Sequence, residues 1–224
     1  MAHHPHDVVS AIGMSPNFAQ DKTLFVAVRG SLNLFLVSRD GGFTWSESSS
    51  GLRGSRFVAI ELASDWATSG VAWVAMQDAG IQMTADYGRT WNPPAIKRYV
   101  RGLAVAPTDP EGRTALFFST KSEVYRSNDR GLTDMKLAVP VAGASIEAIG
   151  VPTTFWTEQN VAVATSDNRL LVSVDGGESW RSTVTSHAVR HIAFSPDFAE
   201  DRLLWISTWG GGVQRSEDAG RTFR

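Results

Sequence analysis

An eight-residue pattern, S/T-x-D-x-G-x-T/S-W, recurs five times along the chain and limits the fold more than any other feature. The copies, called octads below, begin at Ser38, Thr84, Ser127, Ser173 and Ser216. Successive octads start 46, 43, 46 and 43 residues apart, so their spacing is nearly constant. Such spacing indicates that one supersecondary unit of about 45 residues is repeated in space.

The residue types of the octad predict a tight turn. A short aspartate side chain can accept hydrogen bonds from backbone N–H groups, a glycine can adopt positive φ, and the hydroxyl that follows can bond the aspartate. The aspartates are Asp40, Asp86, Asp129, Asp175 and Asp218. The last position is aromatic in four octads, as Trp45, Trp91, Trp180 and Phe223. Asp134 occupies it in the third octad, so that repeat is predicted to be the least well fastened.

Three short runs rich in Val, Phe and Trp precede each octad, and a fourth strand is expected after it. Four strands in about 45 residues, repeated radially, are typical of a β-propeller blade. We therefore predict an all-β, five-bladed β-propeller of four-stranded antiparallel blades, with the octad between the third and fourth strands. The predicted single domain covers 1–224, with blades at about 8–52, 56–97, 98–142, 144–186 and 187–224. Residues 1–7 are expected to supply the last outer strand, or else the chain continues beyond Arg224.

Through these five octads the chain resembles the Asp-box proteins, also called bacterial neuraminidase repeat proteins. That family includes sialidases, xyloglucan hydrolases, the sortilin ectodomain and photosystem assembly factors, all of them propellers. The resemblance implies the same fold, with the octads on the turn between the third and fourth strands. It leaves the function open, because this turn is a structural clasp that enzymes and binding proteins share.

Charge and composition exclude several classes of partner. The chain of 224 residues has a net charge of −2, so no positive field would attract nucleic acid or an anionic membrane surface. It has no cysteine, which excludes disulfides and thiolate chemistry, and it has no apolar run long enough for membrane insertion. We expect a soluble protein, cytoplasmic or exported with its signal removed, that needs no cofactor and that is free-standing or fused to or docked on another domain.

The five predicted inner strands can be aligned by position. One column is apolar and is assigned to the core: Ile12, Ile60, Leu103, Ile149 and Ile192. The columns on either side carry mostly glycine and alanine, because five strands crowd around an axis. His191 and Glu61 break that pattern, and a bulky polar group in a crowded channel needs a partner.

A ligand site is predicted on the rim opposite the octads. Its residues lie at the ends of the inner and second strands: Trp209, Arg29, Arg101, Arg190, Glu147, His191, Gln77 and Lys121. Trp209 is the expected anchor, because an exposed indole stacks on a sugar or a cation. The expected ligand is carbohydrate or a protein loop. The alternatives are a solvated ring of ion pairs for the charged residues and packing on the adjacent loop for Trp209.

Two other functions stay open. A glycoside hydrolase would use Glu61 or Glu147 as acid or nucleophile. The sialidases that the chain resembles have an arginine triad and a Phe/Tyr-Arg-Ile-Pro stretch, and that stretch is absent. A Zn²⁺ or Cu²⁺ site would use imidazoles near the junction of the fifth and first blades. Its candidate ligands are His187, His191, His3 and His6, with His4 beside them.

Overall fold

A computed structural model describes residues 8–30 and 33–224. The described chain forms five antiparallel sheets, one for each octad, and four helices of a single turn. The all-β, five-bladed β-propeller predicted from the octads is thereby confirmed as the fold class. The chain divides into two compact units, residues 1–100 and 101–224, which are taken in turn. Over the part of the chain that is described, every helix is too short and too polar to cross a membrane.

The first unit contains two sheets. The first sheet has the order β1-β2-β3-β4. Its elements are β1 (Val8–Met14), α1 (Phe18–Asp21), β2 (Leu24–Arg29), β3 (Leu34–Ser38) and β4 (Ser46–Glu47). The second sheet consists of β5 (Phe57–Leu62), α2 (Trp66–Ser69), β6 (Ala72–Met76) and β7 (Gly80–Thr84).

The second sheet departs from the predicted four strands. Where the outer strand was expected, only an isolated bridge joins Ile81 to Ile96. Pro93 and Pro94 follow the octad at this point, and proline has no N–H group to donate to a strand ladder. The sequence therefore replaces the outer strand of this sheet by the bridge at Ile96 and one further hydrogen bond, from the Asn92 N–H to the Met83 carbonyl at 2.8 Å.

The second unit contains the other three sheets. Its third and fourth sheets each have four strands. The third sheet is formed by β8 (Gly102–Val105), β9 (Leu116–Ser119), β10 (Val124–Ser127) and β11 (Met135–Leu137). The fourth sheet is formed by β12 (Ile146–Gly150), α3 (Phe155–Glu158), β13 (Val161–Thr165), β14 (Arg169–Ser173) and β15 (Arg181–Val184).

The fifth sheet has three strands. It consists of β16 (Val189–Phe194), α4 (Phe198–Asp201), β17 (Leu204–Thr208) and β18 (Gly212–Ser216). Beyond β18, Arg215 and Arg224 exchange two backbone hydrogen bonds of 2.9 and 3.0 Å, which is one rung of an outer strand. The prediction that residues 1–7 complete this sheet lies outside the described residues.

The octad turns have the hydrogen bonds expected of them. In each octad the aspartate Oδ1 accepts the N–H of the Thr or Ser four residues later at 2.9 Å, and its Oδ2 accepts that residue's hydroxyl at 2.5–2.6 Å. The conserved geometry includes a glycine with φ between +76° and +102°. The Thr44 hydroxyl and N–H lower the pKa of Asp40 to about 2, and Ser179 does the same for Asp175. These carboxylates therefore stay ionised well into acid.

In both units, sheets pack face to face through apolar side chains that alternate along the strands. In the first unit Phe25 and Phe35 of β2 and β3 meet Phe57 and Trp66 of the second sheet. In the second unit small aliphatic side chains join the fourth sheet to the fifth. Those side chains are Ala162, Ala164, Leu170, Val172, Leu204 and Ile206.

At three of the contacts between neighbouring sheets, an arginine of one sheet donates to a backbone carbonyl of the next sheet. In each case the carbonyl belongs to the fourth residue of that next sheet's octad. Arg39 donates to the Tyr87 carbonyl at 2.6 Å, Arg126 to that of Gly176 at 3.3 Å, and Arg181 to that of Ala219 at 2.8 Å. The three arginines lie at different positions relative to their own octads. Sequence patterns therefore gave no indication of this shared contact.

The assignment of the whole isoleucine column to the core is wrong at Ile12. Ile60 is only 4% exposed and packs beneath β1, where a Cβ on Gly13 would lie 2.5 Å from the Ile60 side chain. Ile12, at the matching position of β1, is 64% exposed. The face of the first sheet that carries Ile12 points away from the second sheet, and within the first unit no other sheet covers it.

Candidate functional site

Three of the predicted ligand-binding residues contact one another in the second unit. The Arg190 guanidinium donates to Glu147 Oε2 at 2.8 Å. Its central carbon lies 5.4 Å from the centre of the Trp209 ring, within cation–π range. Arg190 thus joins an inner-strand carboxylate to the exposed indole, and we call Ser145, Glu147, Arg190 and Trp209 the Trp209 cluster.

Neighbouring strands and a glycine hairpin position this cluster. Glu147 lies on β12 and Arg190 on β16, the inner strands of two sheets that pack together. Trp209 follows β17, and its N–H donates to the Ala188 carbonyl at 2.8 Å. Gly210 and Gly212 have φ of +84° and +71°, values that glycine adopts without strain. The glycines form the tight turn of the hairpin that joins β17 to β18.

Ser145 completes the cluster and was not foreseen from the sequence. Its hydroxyl donates to Glu147 Oε1 at 2.7 Å, and its N–H donates to the Ser166 hydroxyl at 3.0 Å. Ser145 stands two residues before Glu147, directly before the start of β12, and this spacing was the available signal. Both carboxylate oxygens of Glu147 therefore have partners, so its charge is fixed in place.

The cluster is accessible at one end. The Trp209 side chain is 73% exposed, and that of Arg190 is 46% exposed, whereas that of Glu147 is 16% exposed. An indole held at such a position can stack on a sugar ring or on the side chains of a protein segment. The ion pair between Arg190 and Glu147 lies beside the exposed ring.

Two histidines of the proposed metal site have other surroundings in the second unit. His187 Nδ1 lies 3.0 Å from the Ser186 hydroxyl, and its ring packs so close to Gly211 that a Cβ there would lie 2.5 Å away. His191 is exposed on β16 opposite Ser207. Among the described residues no group of three His, Cys, Asp or Glu side chains could hold a metal. His3, His4 and His6 lie outside the described residues, so the metal site remains a prediction.

The other rim residues take no part in these contacts. Arg101 and Lys121 are exposed in the second unit. In the first unit, Arg29 ends β2 and is exposed, and Gln77 follows β6 with its N–H bonded to the Arg56 carbonyl at 2.8 Å. Their assignment to a ligand site rests on the sequence alone.

Glu61 is the second inner-strand carboxylate and lies in the first unit on β5. It stands opposite Trp73 on β6, and burial raises the pKa of its carboxyl to about 7. Within residues 8–30 and 33–224 this carboxylate has neither a hydrogen bond nor an ion pair. Glu61 therefore differs from Glu147, which is charged and paired, and has the proton affinity of a general acid near neutral pH.

The five sheets define the class of fold as a β-propeller. Two solved structures of YCF48 share the fold. One, YCF48 bound to a D1 peptide, is similar over 100% of this chain and 68% of that chain, with a TM-score of 0.68 and 16% identity. The other, from Cyanidioschyzon merolae, is similar over 99% and 72%, with a TM-score of 0.65 and 21% identity.

An enzyme shares the fold as well. The GH74 xyloglucanase from Xanthomonas campestris is similar over 89% of this chain but only 35% of its own length, with a TM-score of 0.69 and 14% identity. No protein-family model matches the chain. No curated protein matches it either. Similarity at these identities shows a common fold and leaves the function to be argued from the site.

Proposed function

We propose that the chain is a non-catalytic binding module that recognises a protein segment through the Trp209 cluster. The observation that carries this proposal is an indole, 73% exposed, held 5.4 Å from a guanidinium that is itself ion-paired to Glu147. Large exposed aromatic and arginine side chains are the residues that most often dominate binding energy at protein interfaces.

The cluster is organised before any ligand arrives. Hydrogen bonds from Ser145 and Arg190 fix Glu147, and Arg190 in turn limits where the Trp209 ring can lie. A prearranged anchor loses less conformational entropy when it binds, which supports affinity without a deep cavity. The rim therefore suits a ligand that lies across it.

A protein segment is favoured over carbohydrate as that ligand. A tryptophan beside an arginine gives an aromatic surface with guanidinium donors, and both can contact the backbone and side chains of an extended peptide. One neighbour in fold is YCF48 bound to a D1 peptide, which is an analogy at the level of the fold.

The test uses phage-displayed peptides and a glycan array on the same immobilised protein. We expect selected peptides to bind, and Trp209→Ala to bind them roughly thirtyfold more weakly, as loss of an interface anchor does. The matched control is Phe43→Ala, because Phe43 is 90% exposed in the first unit. If the protein binds glycans and no peptide, the ligand of the cluster is a carbohydrate and the proposed protein segment is wrong. Equal binding by Trp209→Ala and wild type would place the site elsewhere.

Glycoside hydrolysis is a second candidate because the pKa of Glu61 is raised to about 7. A proton held at neutral pH is what a general acid must donate to a leaving group. A panel of aryl glycosides tests this candidate, with loss of turnover expected in Glu61→Gln. If wild type turns over no member of the panel, the candidate fails.

A further inference from the structure

A cavity of about 330 Å³ lies in the first unit between the first and second sheets, and we call it the Asp21 cavity. Asp21 of α1 and Arg39 of the first octad line it, together with Trp66 of α2 and Tyr87 of the second octad. Ligand pockets in proteins have volumes of about 300 Å³ upwards, so this cavity has room for one small molecule.

Two opposite charges line the Asp21 cavity. The Asp21 carboxylate accepts the Ser15 hydroxyl at 2.6 Å and the Thr23 N–H at 2.9 Å, and neither of these donors is charged. The Arg39 guanidinium donates to the Tyr87 carbonyl at 2.6 Å. In the part of the chain that the structure describes, neither Asp21 nor Arg39 forms an ion pair. A guanidinium has several N–H donors and a carboxylate several acceptor positions, so both groups can also bind a ligand.

The equivalent place in the second unit is closed by an ion pair. Glu158 ends α3 there, Arg202 directly follows α4, and the two side chains meet at 2.6 Å. In the first unit Asp21 ends α1 in the same way, but Gly70 follows α2 where Arg202 follows α4. The first unit therefore keeps the carboxylate and lacks the cation that neutralises it in the second.

Tyr87 occupies the space over Gly70. A Cβ on Gly70 would lie 2.9 Å from the Tyr87 ring, and Gly70 has a φ of +62°, so a side chain like that of Arg202 would be strained there. The Tyr87 hydroxyl donates to the Ala67 carbonyl at 3.1 Å, which holds the ring beside α2. The fifth octad has Ala219 at the position of Tyr87. A tyrosine and a glycine in the first unit thus replace an alanine and an arginine in the second.

The charges of the cavity select the class of ligand. An ammonium group can donate to Asp21, and a carboxylate can accept a forked pair of hydrogen bonds from Arg39. A ligand with only one of these groups would bring its charge beside a like charge of the cavity, which disfavours binding. A ligand with both groups pairs each with its opposite, and the Tyr87 ring can contact the carbon chain between them.

We propose that the Asp21 cavity binds a small aminocarboxylic acid in its zwitterionic form, with the ammonium at Asp21 and the carboxylate at Arg39. The bonds from Ser15 and Thr23 hold the Asp21 carboxylate in place before the ligand arrives, which lowers the entropy cost of binding. The residues of the cavity all belong to the first unit, so the proposal is independent of the ligand that the Trp209 cluster binds.

Isothermal titration calorimetry with glycine, β-alanine and γ-aminobutyrate tests the proposal and measures the preferred length of the ligand. We expect at least one of the three to bind, and ethylamine and propionate, which carry one charge each, to bind about tenfold more weakly or not at all. Asp21→Asn should weaken binding of the zwitterion about tenfold. Arg39→Gln should weaken it similarly and also remove the preference over ethylamine, because the charge that repels an amine is then gone.

The matched control is Glu158→Gln, which alters the equivalent carboxylate of the second unit and should bind the zwitterion as wild type does. Circular dichroism and the thermal midpoint show whether each variant is folded. If Asp21→Asn fails to fold, Arg39→Gln decides the outcome, since Arg39 is exposed. The proposal is overturned if none of the three zwitterions binds wild type at about 10 mM. It is also overturned if folded Arg39→Gln keeps the affinity and the preference of wild type.

Discussion

Two contacts between neighbouring sheets can be compared: that of the first sheet with the second, and that of the fourth with the fifth. They are formed by equivalent strands and octads but by different kinds of side chain. In the first, Phe25 meets the Trp66 ring edge-on at 5.7 Å and Phe35 stacks on Phe57 at 5.3 Å. In the second, alanine and leucine pack at the centre, and ion pairs from Arg190 to Glu147 and from Arg202 to Glu158 cross the edges.

The first contact therefore serves mainly to stabilise the fold, whereas the second also holds a side chain at the surface. Aromatic rings in the first contact are almost wholly buried, so they contribute to stability and present little to a ligand. Ion pairs in the second contact contribute less to stability, but they hold Trp209 at the surface. The octads are alike in both contacts, so recognition depends on the few side chains at which the contacts differ.

Truncating the aromatic contact should have the largest effect. Trp66 is 1% exposed and touches both Phe25 and Tyr87, so Trp66→Ala should lower the free energy of unfolding by about 4–5 kcal/mol. Phe198, its counterpart before β17, contacts Phe194 of its own sheet, and Phe198→Ala should cost about 3 kcal/mol. Urea denaturation measures both. If both variants lose the same free energy of unfolding, the aromatic contact is no more stabilising than the aliphatic one.

The two inner-strand carboxylates provide the next test. Burial raises the pKa of Glu61 from 4.5 to about 7, so as the pH rises through this interval the unfolded chain ionises before the folded one. The free energy of unfolding should therefore fall by about 3 kcal/mol between pH 4.5 and pH 7 on account of this group. Glu61→Gln should remove that fall and be more stable than wild type in alkaline buffer.

Urea denaturation across the pH range compares Glu61→Gln with Glu147→Gln at equal ionic strength. Glu147→Gln breaks the ion pair to Arg190, which is partly exposed, and should cost about 1 kcal/mol or less. If wild type and Glu61→Gln differ by the same amount at every pH, the Glu61 carboxyl does not titrate in this interval.

Small effects, the smallest of them at Arg202, should come from the arginines that cross between the fourth and fifth sheets. Arg181 donates to the carbonyls of Ala219 and Gly220, and Arg181→Ala should cost about 1–2 kcal/mol. Arg181→Lys keeps the charge but not the forked geometry, so it should recover only part of this loss. Arg202→Ala, which removes a surface ion pair, should cost about 0.5 kcal/mol. If Arg202→Ala is less stable than Arg181→Ala, the surface ion pair contributes more to stability than the carbonyl contacts of Arg181, and this prediction is wrong.

Local chemistry made the octads predictable, because the hydrogen bonds to each aspartate come from residues of the same eight-residue segment. The exposure of Ile12 could not be predicted, since its column reads as core and only the packing shows that one face is uncovered. Trp209 could be predicted from the sequence, because an indole stands there among the charged and polar residues of the rim. Its contact with Arg190 depends on how two sheets meet, and residues 19 positions apart carry no such signal.

The octad also bears on how the chain is made. The bonds from each aspartate reach two to four residues, so a turn can close as soon as its own segment leaves the ribosome, without waiting for any distant strand. Five such turns would mark the strand boundaries in advance during synthesis. Errors of strand register during translation should therefore be rarest beside the octads and commonest in the stretches between them.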